Sequence, residues 1–415
     1  MPSKDPAITL PYTSGVLTEA APPGASEESS SLPRAARNRF PGFDGLRAVA
    51  ATLIVLHHAG FVSGATFNRS LGVFTGRMDI GVAVFFVISG FLLYRPFVVA
   101  HLAGEPLPGV RSFYRRRVLR IFPAYWLALG TMLVVGGIIV NGPAGLFFTA
   151  TLLHPYHPYR AISGITQSWS LATEIAFYAV LPAIAIVSAR HLRGATVGQR
   201  ARRLLALAAG LYAFSFVWRL GIYEVNPWWE YITPQWLPSL LDQFALGMAL
   251  AVLSVWGAHR PMVRALNEEV GRHTALWWGA AVVLFCFTAS QLDLAVGLER
   301  ASFGREAMRQ ALYGLVGLAA VAPLALAPDA GGRLRRIMSS RLLTYLGVLS
   351  YGIYLWHQFF LYWIGRWFDW EQFGGHFVAY AIGAFVLSVG AAALSYRFVE
   401  QPASRLFAGR SKVHA

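Results

Sequence analysis

Apolar residues in this chain neither alternate nor fall into narrow stripes. They come in blocks separated by short polar stretches, from residue 46 to residue 399. Blocks of about 20 residues, apolar on every side, read as membrane-spanning helices, because at about 1.5 Å per residue they cross the hydrocarbon core. Ten spans are predicted, near residues 46–64, 80–100, 121–140, 169–189, 203–222, 237–257, 274–292, 308–327, 342–364 and 377–399. The intervening stretches carry a second pattern. Arg34, Arg37 and Arg39 precede the first block; Arg111, Arg115, Arg116, Arg117 and Arg120 follow the second; Arg190, Arg193, Arg200, Arg202 and Arg203 follow the fourth. Arg260, Arg264 and Arg272 follow the sixth, and Arg333, Arg335, Arg336 and Arg341 the eighth. Alternate loops hold Glu224, Glu230, Asp293, Glu299, Asp369 and Glu371 instead, with Arg300 and Arg305 offset by Glu299 and Glu306. The positive-inside rule then predicts both termini in the cytoplasm. The expected fold is all-α, a polytopic protein of the plasma membrane with the lipid bilayer as its first partner.

Composition agrees with that picture and removes alternatives. At 415 residues, 56% hydrophobic and mean hydropathy +0.49, a soluble reading would need several domains whose helices are apolar all round. The net charge of +15 invites a nucleic-acid partner, but the arginines sit in short loops between apolar blocks, so none is expected. Cys286 is the only cysteine, which excludes an intramolecular disulfide and a thiolate metal cluster. Residues 1–40, rich in Pro, Ser, Gly and charge, read as a disordered cytoplasmic tail without a cleavable signal pattern. Residues 41–406 form the membrane domain, and 407–415 a short cytoplasmic tail.

Polar intrusions into the apolar blocks carry the candidate chemistry. In "GFDGLRAVAATLIVLHHAG", Arg47 and His58 are eleven residues apart, about three turns and roughly 16 Å along a helix, and so on nearly one azimuth. His57 points about 100° away. An arginine there can snorkel and a histidine can bond a carbonyl, each for its own reason. Their alignment is better explained by a slot entered from the cytoplasm, where Arg47 meets an anion and His58 transfers a proton. In "FYRRRVLRIFPAYW", Arg117 and Arg120 share a helix face; topology alone explains an arginine run, and phosphates of a nucleotide-bearing donor explain it equally. Pro123 is expected close to the start of the third helix. Glu174, in "QSWSLATEIAFYAVLP", is a carboxylate inside the fourth span: either a structural partner for a neighbouring donor or a group orienting a histidine such as His58.

Weaker signals follow. Ser89 and Gly90 in "FFVISGFLL" suit close helix packing more than a nucleophilic serine. His154 and His157 in "HPYHPYR" could suggest a metal but lack a carboxylate at ligand spacing, so no metal is expected. His357 in "SYGIYLWHQFF" is the second-choice functional histidine, alongside His57. Arg397 and Glu400 are spaced for an ion pair. "YEVNPWWEYITPQW" reads as an interfacial aromatic belt whose rings could also receive a sugar.

Six of these segments in this order, "GFDGLRAVAATLIVLHH", "GVAVFFVISGFLL", "RRRVLRIFPAYW", "QSWSLATEIAFY", "LSYGIYLWH" and "SYRFVEQPASRL", resemble the membrane-bound acyltransferase-3 family from about residue 40 to residue 406. The family's arginine-to-histidine motif falls on Arg47 and His58, its paired arginines on Arg117 and Arg120, and its tryptophan-to-glutamate motif on Trp169 and Glu174. The resemblance implies transfer of an acyl group, usually acetyl from acetyl-CoA, to a hydroxyl of a carbohydrate, glycolipid, cell-wall polymer or secondary metabolite. It implies His58 as general base or transient acyl carrier, Glu174 as its support, and Arg117, Arg120 and Arg47 as donor-phosphate contacts, with acyl-CoA a substrate and no cofactor bound. Many relatives carry a fused esterase-like domain after the last span, which the sequence here is not expected to have. His57 stands where relatives often have an aromatic residue. A proton-coupled transporter of an anionic or sugar-like solute is the alternative from another class, and would more often show internal repeats and broken helices. A non-catalytic scaffold explains the spans but not the polar interior.

Overall fold

The computed structural model describes residues 40–408 except 69, 158, 162, 226–232 and 293–301. Residues 1–39 and 409–415 of the two expected tails, the arginines before Phe40, the centre of the Trp-rich segment, Glu230, Asp293, Glu299 and Arg300 thus lie outside the described residues, which contain helices and no strand.

Ten long helices occupy the positions of the ten apolar blocks. They are α1 (Phe43–Ser63), α2 (Gly81–Ala103), α3 (Val110–Val135), α4 (Trp169–His191), α5 (Val197–Val225), α6 (Leu237–Trp256), α7 (Thr274–Ser290), α8 (Phe303–Leu326), α9 (Arg341–Trp367) and α10 (Phe377–Ser395). Among the described residues, eight helical regions have both the length and the apolar composition to cross a membrane. A ninth span results if α7 is joined to Pro261–Arg272, from which it turns by 67°. The helix outside this set is α9, whose 27 residues reach about 40 Å. Its composition is more polar because Ser350, Trp356 and His357 are buried against protein, where a polar side chain can find a partner that lipid does not offer.

Two tightly packed groups form the bundle: α2 against α6 and α6 against α5, and α1 against α9 with α9 against α10. Glycine allows the closest approaches. A Cβ at Gly90 would stand 2.2 Å from the Phe244 carbonyl oxygen, and one at Gly347 would stand 1.8 Å from that of Asp44. Such contacts suit membrane helices, which associate by packing and not by the hydrophobic effect. At the far end of α1 the α9–α10 loop is tied down by backbone bonds from Phe373 N to Val62 O and from Gly375 N to Ser63 O, both 2.9 Å. This loop fixes the end of the helix that carries His57 and His58.

Two local expectations fail. The third helix begins at Val110, so Pro123 lies inside it and not near its start; arginine is a good helix former, and the arginine run extends the helix through the polar interface. Arg397 and Glu400 make no ion pair, because residues Tyr396–Glu400 form a π-helical turn that changes their relative angle. Glu400 instead accepts from Ser395 Oγ at 3.5 Å, and Arg397 lies over Phe398. The outer carboxylate Glu306 is engaged by Arg309 at 2.5 Å and by Gln310 at 3.0 Å.

Candidate active site

His58 sits in the last two turns of α1 and meets α9. Its Nδ1 is 3.0 Å from Ile54 O and 3.1 Å from Nε2 of His357. His357 is fully buried, with its Nδ1 2.7 Å from Tyr354 O. A carbonyl oxygen only accepts, so His357 carries its proton on Nδ1 and, when neutral, accepts through Nε2. His58 Nδ1 faces two acceptors and must also carry its proton. The tautomer follows from the hydrogen-bond network: His58 Nε2 is left with a lone pair, and it makes no hydrogen bond among the described residues. That is the state a general base requires. His57 turns aside, as its position predicts, with Nδ1 2.9 Å from Thr75 O and its ring edge-on to His58 at 4.9 Å.

Glu174 does not reach His58. The carboxylate accepts from Ser89 Oγ at 2.6 Å, and no hydrogen bond joins it to His58 among the described residues. Glu174 and Ser89 front a cavity of about 80 Å³ lined also by Arg47, Arg120, Tyr178 and Tyr354, and His58 is not in its lining. At roughly 30 Å³ per water, such a space holds a few waters or a thin chain. Ser89 therefore does more than pack; its neighbour Gly90 makes the close helix contact. Tyr354 connects the two parts of the site. It lines the cavity, its carbonyl holds His357, and its hydroxyl donates to Gln167 O and lies 2.7 Å from Ser170 Oγ.

The arginines separate on folding. Arg47, with its side chain 17% exposed, is 3.4 Å from Asp44 and lines both this cavity and a larger one, of about 910 Å³, at the N-terminal end of α1. Arg120 lines the inner cavity only. Arg117 lines neither: its guanidinium lies over Phe113 and Tyr178, 5.8 and 5.7 Å from the ring centroids. Arg95, inside α2, joins Arg47 in the larger cavity. Sequence reasoning passed over Arg95, although an arginine within an apolar block is itself a signal.

Other polar groups serve the frame. Arg219 of α5 and the buried Asp242 of α6 pair at 2.9 Å, and Gln243 Nε2 donates to Gln310 Oε1 at 3.1 Å. The outer histidines part company: His154 is buried, with Nε2 3.3 Å from Ser168 Oγ, while His157 Nδ1 accepts from Tyr159 N at 3.3 Å. Burial pushes the His154 imidazole down to about 4. No group of three His, Cys, Asp or Glu side chains able to hold a metal occurs among the described residues.

A family model described as an acyltransferase domain matches residues 40–397. The chain is 25% identical over 350 residues to a peptidoglycan O-acetyltransferase of Listeria monocytogenes, covering 78% of this chain and 50% of that protein. It is 27% identical over 394 residues to a putative peptidoglycan O-acetyltransferase of Bacillus subtilis, covering 88% and 54%. To the acyltransferase MdmB of Streptomyces mycarofaciens it is 28% identical over 411 residues, covering 90% and 94%. The chain thus spans about half the length of the two peptidoglycan-directed relatives. No solved structure matches it.

Proposed function

The chain belongs to the membrane-bound acyltransferase-3 family, and from that premise we propose that it carries an acyl group, acetyl in the first instance, from acyl-CoA to a hydroxyl of a glycan or related acceptor. It is a multi-pass membrane O-acyltransferase; the donor, the acceptor and the placement in the plasma membrane with cytoplasmic termini belong to the proposal. The relatives named as peptidoglycan O-acetyltransferases favour a cell-wall glycan among acceptors.

The observation that carries the reading is the His58–His357 contact at 3.1 Å, which leaves the His58 Nε2 lone pair available. The acceptor hydroxyl gives its proton to Nε2 as its oxygen attacks the thioester carbonyl. The C–S bond then breaks, the ester forms, and the imidazolium returns the proton to the departing thiolate, so CoA leaves as its thiol. His357 Nε2, accepting from His58 Nδ1–H, stabilises the transient imidazolium as the carboxylate of a catalytic triad does. Arg47 meets the donor at the threshold between the cavities, and Arg120 adds positive charge within. Glu174, fixed by Ser89, balances these guanidiniums. Arg117 braces the Tyr178 wall through its ring contact.

Radiolabelled acetyl-CoA supplied to the purified protein in liposomes, with peptidoglycan fragments, oligosaccharides and glycolipids as acceptors, tests the reading. Label in an alkali-labile ester on an acceptor is expected. Solute uptake driven by a pH gradient without thioester consumption would replace it with the transporter.

A further inference from the structure

Gln167 has no part in the chemistry above, yet its side chain ends beside the histidine pair. It lies in the single 3₁₀ turn Thr166–Ser168 that leads into α4, and it is 3% exposed. The turn is itself held: Gly164 N donates to Ile139 O at 3.2 Å, and Ser168 Oγ to Ile165 O at 2.6 Å. From this footing Gln167 reaches α9, with Nε2 2.9 Å from Leu355 O and, in a longer contact, 3.4 Å from Tyr354 O. Carbonyl oxygens only accept, so the amide nitrogen and not its oxygen faces α9. A return contact runs the other way. The Tyr354 hydroxyl donates to Gln167 O; its one proton is thereby spent, so Ser170 Oγ donates to the Tyr354 oxygen at 2.7 Å. Beyond His357, Thr166 Oγ1 donates to Gln358 Oε1 at 2.6 Å. Residues 166–170 thus grip α9 from Tyr354 to Gln358, the turn that contains His357.

A buried amide costs free energy unless it is bonded, and an apolar side chain of the same size would serve packing alone. The Tyr354 and Leu355 carbonyls lie inside α9 and already accept from backbone N–H groups one turn on, so Gln167 rescues no orphan. What it fixes is position. The Tyr354 carbonyl is the one that holds the His357 Nδ1 proton, and that proton leaves Nε2 as the acceptor that meets His58 at 3.1 Å. We propose that Gln167 is a positioning residue for the histidine pair, its carboxamide holding the α9 turn so that His357 keeps its tautomer and its contact with His58. Gln167 lines neither cavity, so it acts on the chemistry through α9. The inference rests on the general-base reading above.

The test is a double-mutant cycle on the full-length protein in liposomes, read as kcat and KM for acetyl-CoA with the acceptor that takes label in the assay above. Gln167→Met keeps the length of the side chain and drops both N–H donors. It should lower kcat about fivefold to tenfold, because displacements of less than about 1 Å already weaken a catalytic contact, and leave the KM for acetyl-CoA within about twofold. In a His357→Ala background the same change should cost nothing further, since the group it positions is gone. A loss that repeats in full in that background would overturn the proposal and leave Gln167 a packing residue. So would an unaltered kcat in Gln167→Met, or a raised KM at constant kcat. Gln167→Asn, one methylene too short to reach α9 and still polar in its buried turn, goes through the same cycle if the methionine variant does not fold. Full wild-type turnover in His357→Ala would instead defeat the histidine-pair reading on which the proposal rests.

Discussion

At the scale of single residues, the chemistry reduces to where one proton sits. His357 holds its Nδ1 proton on the Tyr354 carbonyl and offers Nε2 to His58, which leaves the second histidine's Nε2 basic. His357→Ala removes that acceptor while Ile54 O remains, so kcat should fall about tenfold to a hundredfold with little change in the KM for acetyl-CoA, as expected of a group that acts in the transition state. A raised KM at constant kcat would point to donor binding instead. Ser89→Ala takes away the 2.6 Å hydrogen bond to Glu174. A hydrogen bond to a charged group contributes about 1.5–3 kcal/mol, so thermal stability in detergent should drop, and turnover with it. The directions of Arg47, His57 and His58 around α1 were readable from the sequence because helical phase relates residues on one helix, although the cavities that Arg47 lines do not include His58. The partners of Glu174 and His58 were not. Ser89 is 85 positions from Glu174, and His357 is 299 from His58, and no local period encodes which helices become neighbours.

At the scale of helices, the apolar blocks located all ten long elements, because an uninterrupted apolar run is a strong signal in itself. Boundaries were weaker where the signal was polar. The arginine run extends α3 to Val110, ahead of the apolar stretch, since positive charge at an interface stops neither helix propagation nor hydrogen bonding. Close packing left a clearer mark in the glycines. Gly90→Val should force α2 from α6, because even its Cβ would meet the Phe244 carbonyl at 2.2 Å. Overpacking costs typically about 1–3 kcal/mol, and backbone cannot step aside as a side chain can, so a lower unfolding temperature and poor membrane yield are expected. Gly279→Val, where a Cβ would meet nothing within 4 Å, should be nearly silent. Similar behaviour of the two variants in a thermal-shift assay would remove the packing argument.

At the scale of the whole molecule, the outer loops add a dependence on pH. His154 is buried and its imidazole is held down to about 4 from an ordinary 6.5 by desolvation. A histidine depressed in this way stays neutral in the fold, while the unfolded chain takes up a proton below about 6.5. Stability from this group is complete above pH 6.5 and declines as pH falls toward 4. The unfolding temperature should therefore decrease from pH 7 to pH 4.5, and His154→Gln should flatten that slope; an unchanged slope would show that other groups set it. The candidate residues are spread along α1, from Arg47 near its start to the His58–His357 contact near its end. The central claim is that His58, and not its neighbour, performs the chemistry. The direct measurement is release of CoA thiol from acetyl-CoA by purified protein in liposomes with an ester-forming acceptor, for wild type, His58→Ala and His57→Ala. His58→Ala should lose about a hundredfold or more of kcat, in line with removal of a general base, while His57→Ala retains most of it and both stay folded. Comparable turnover in His58→Ala and wild type would contradict the account.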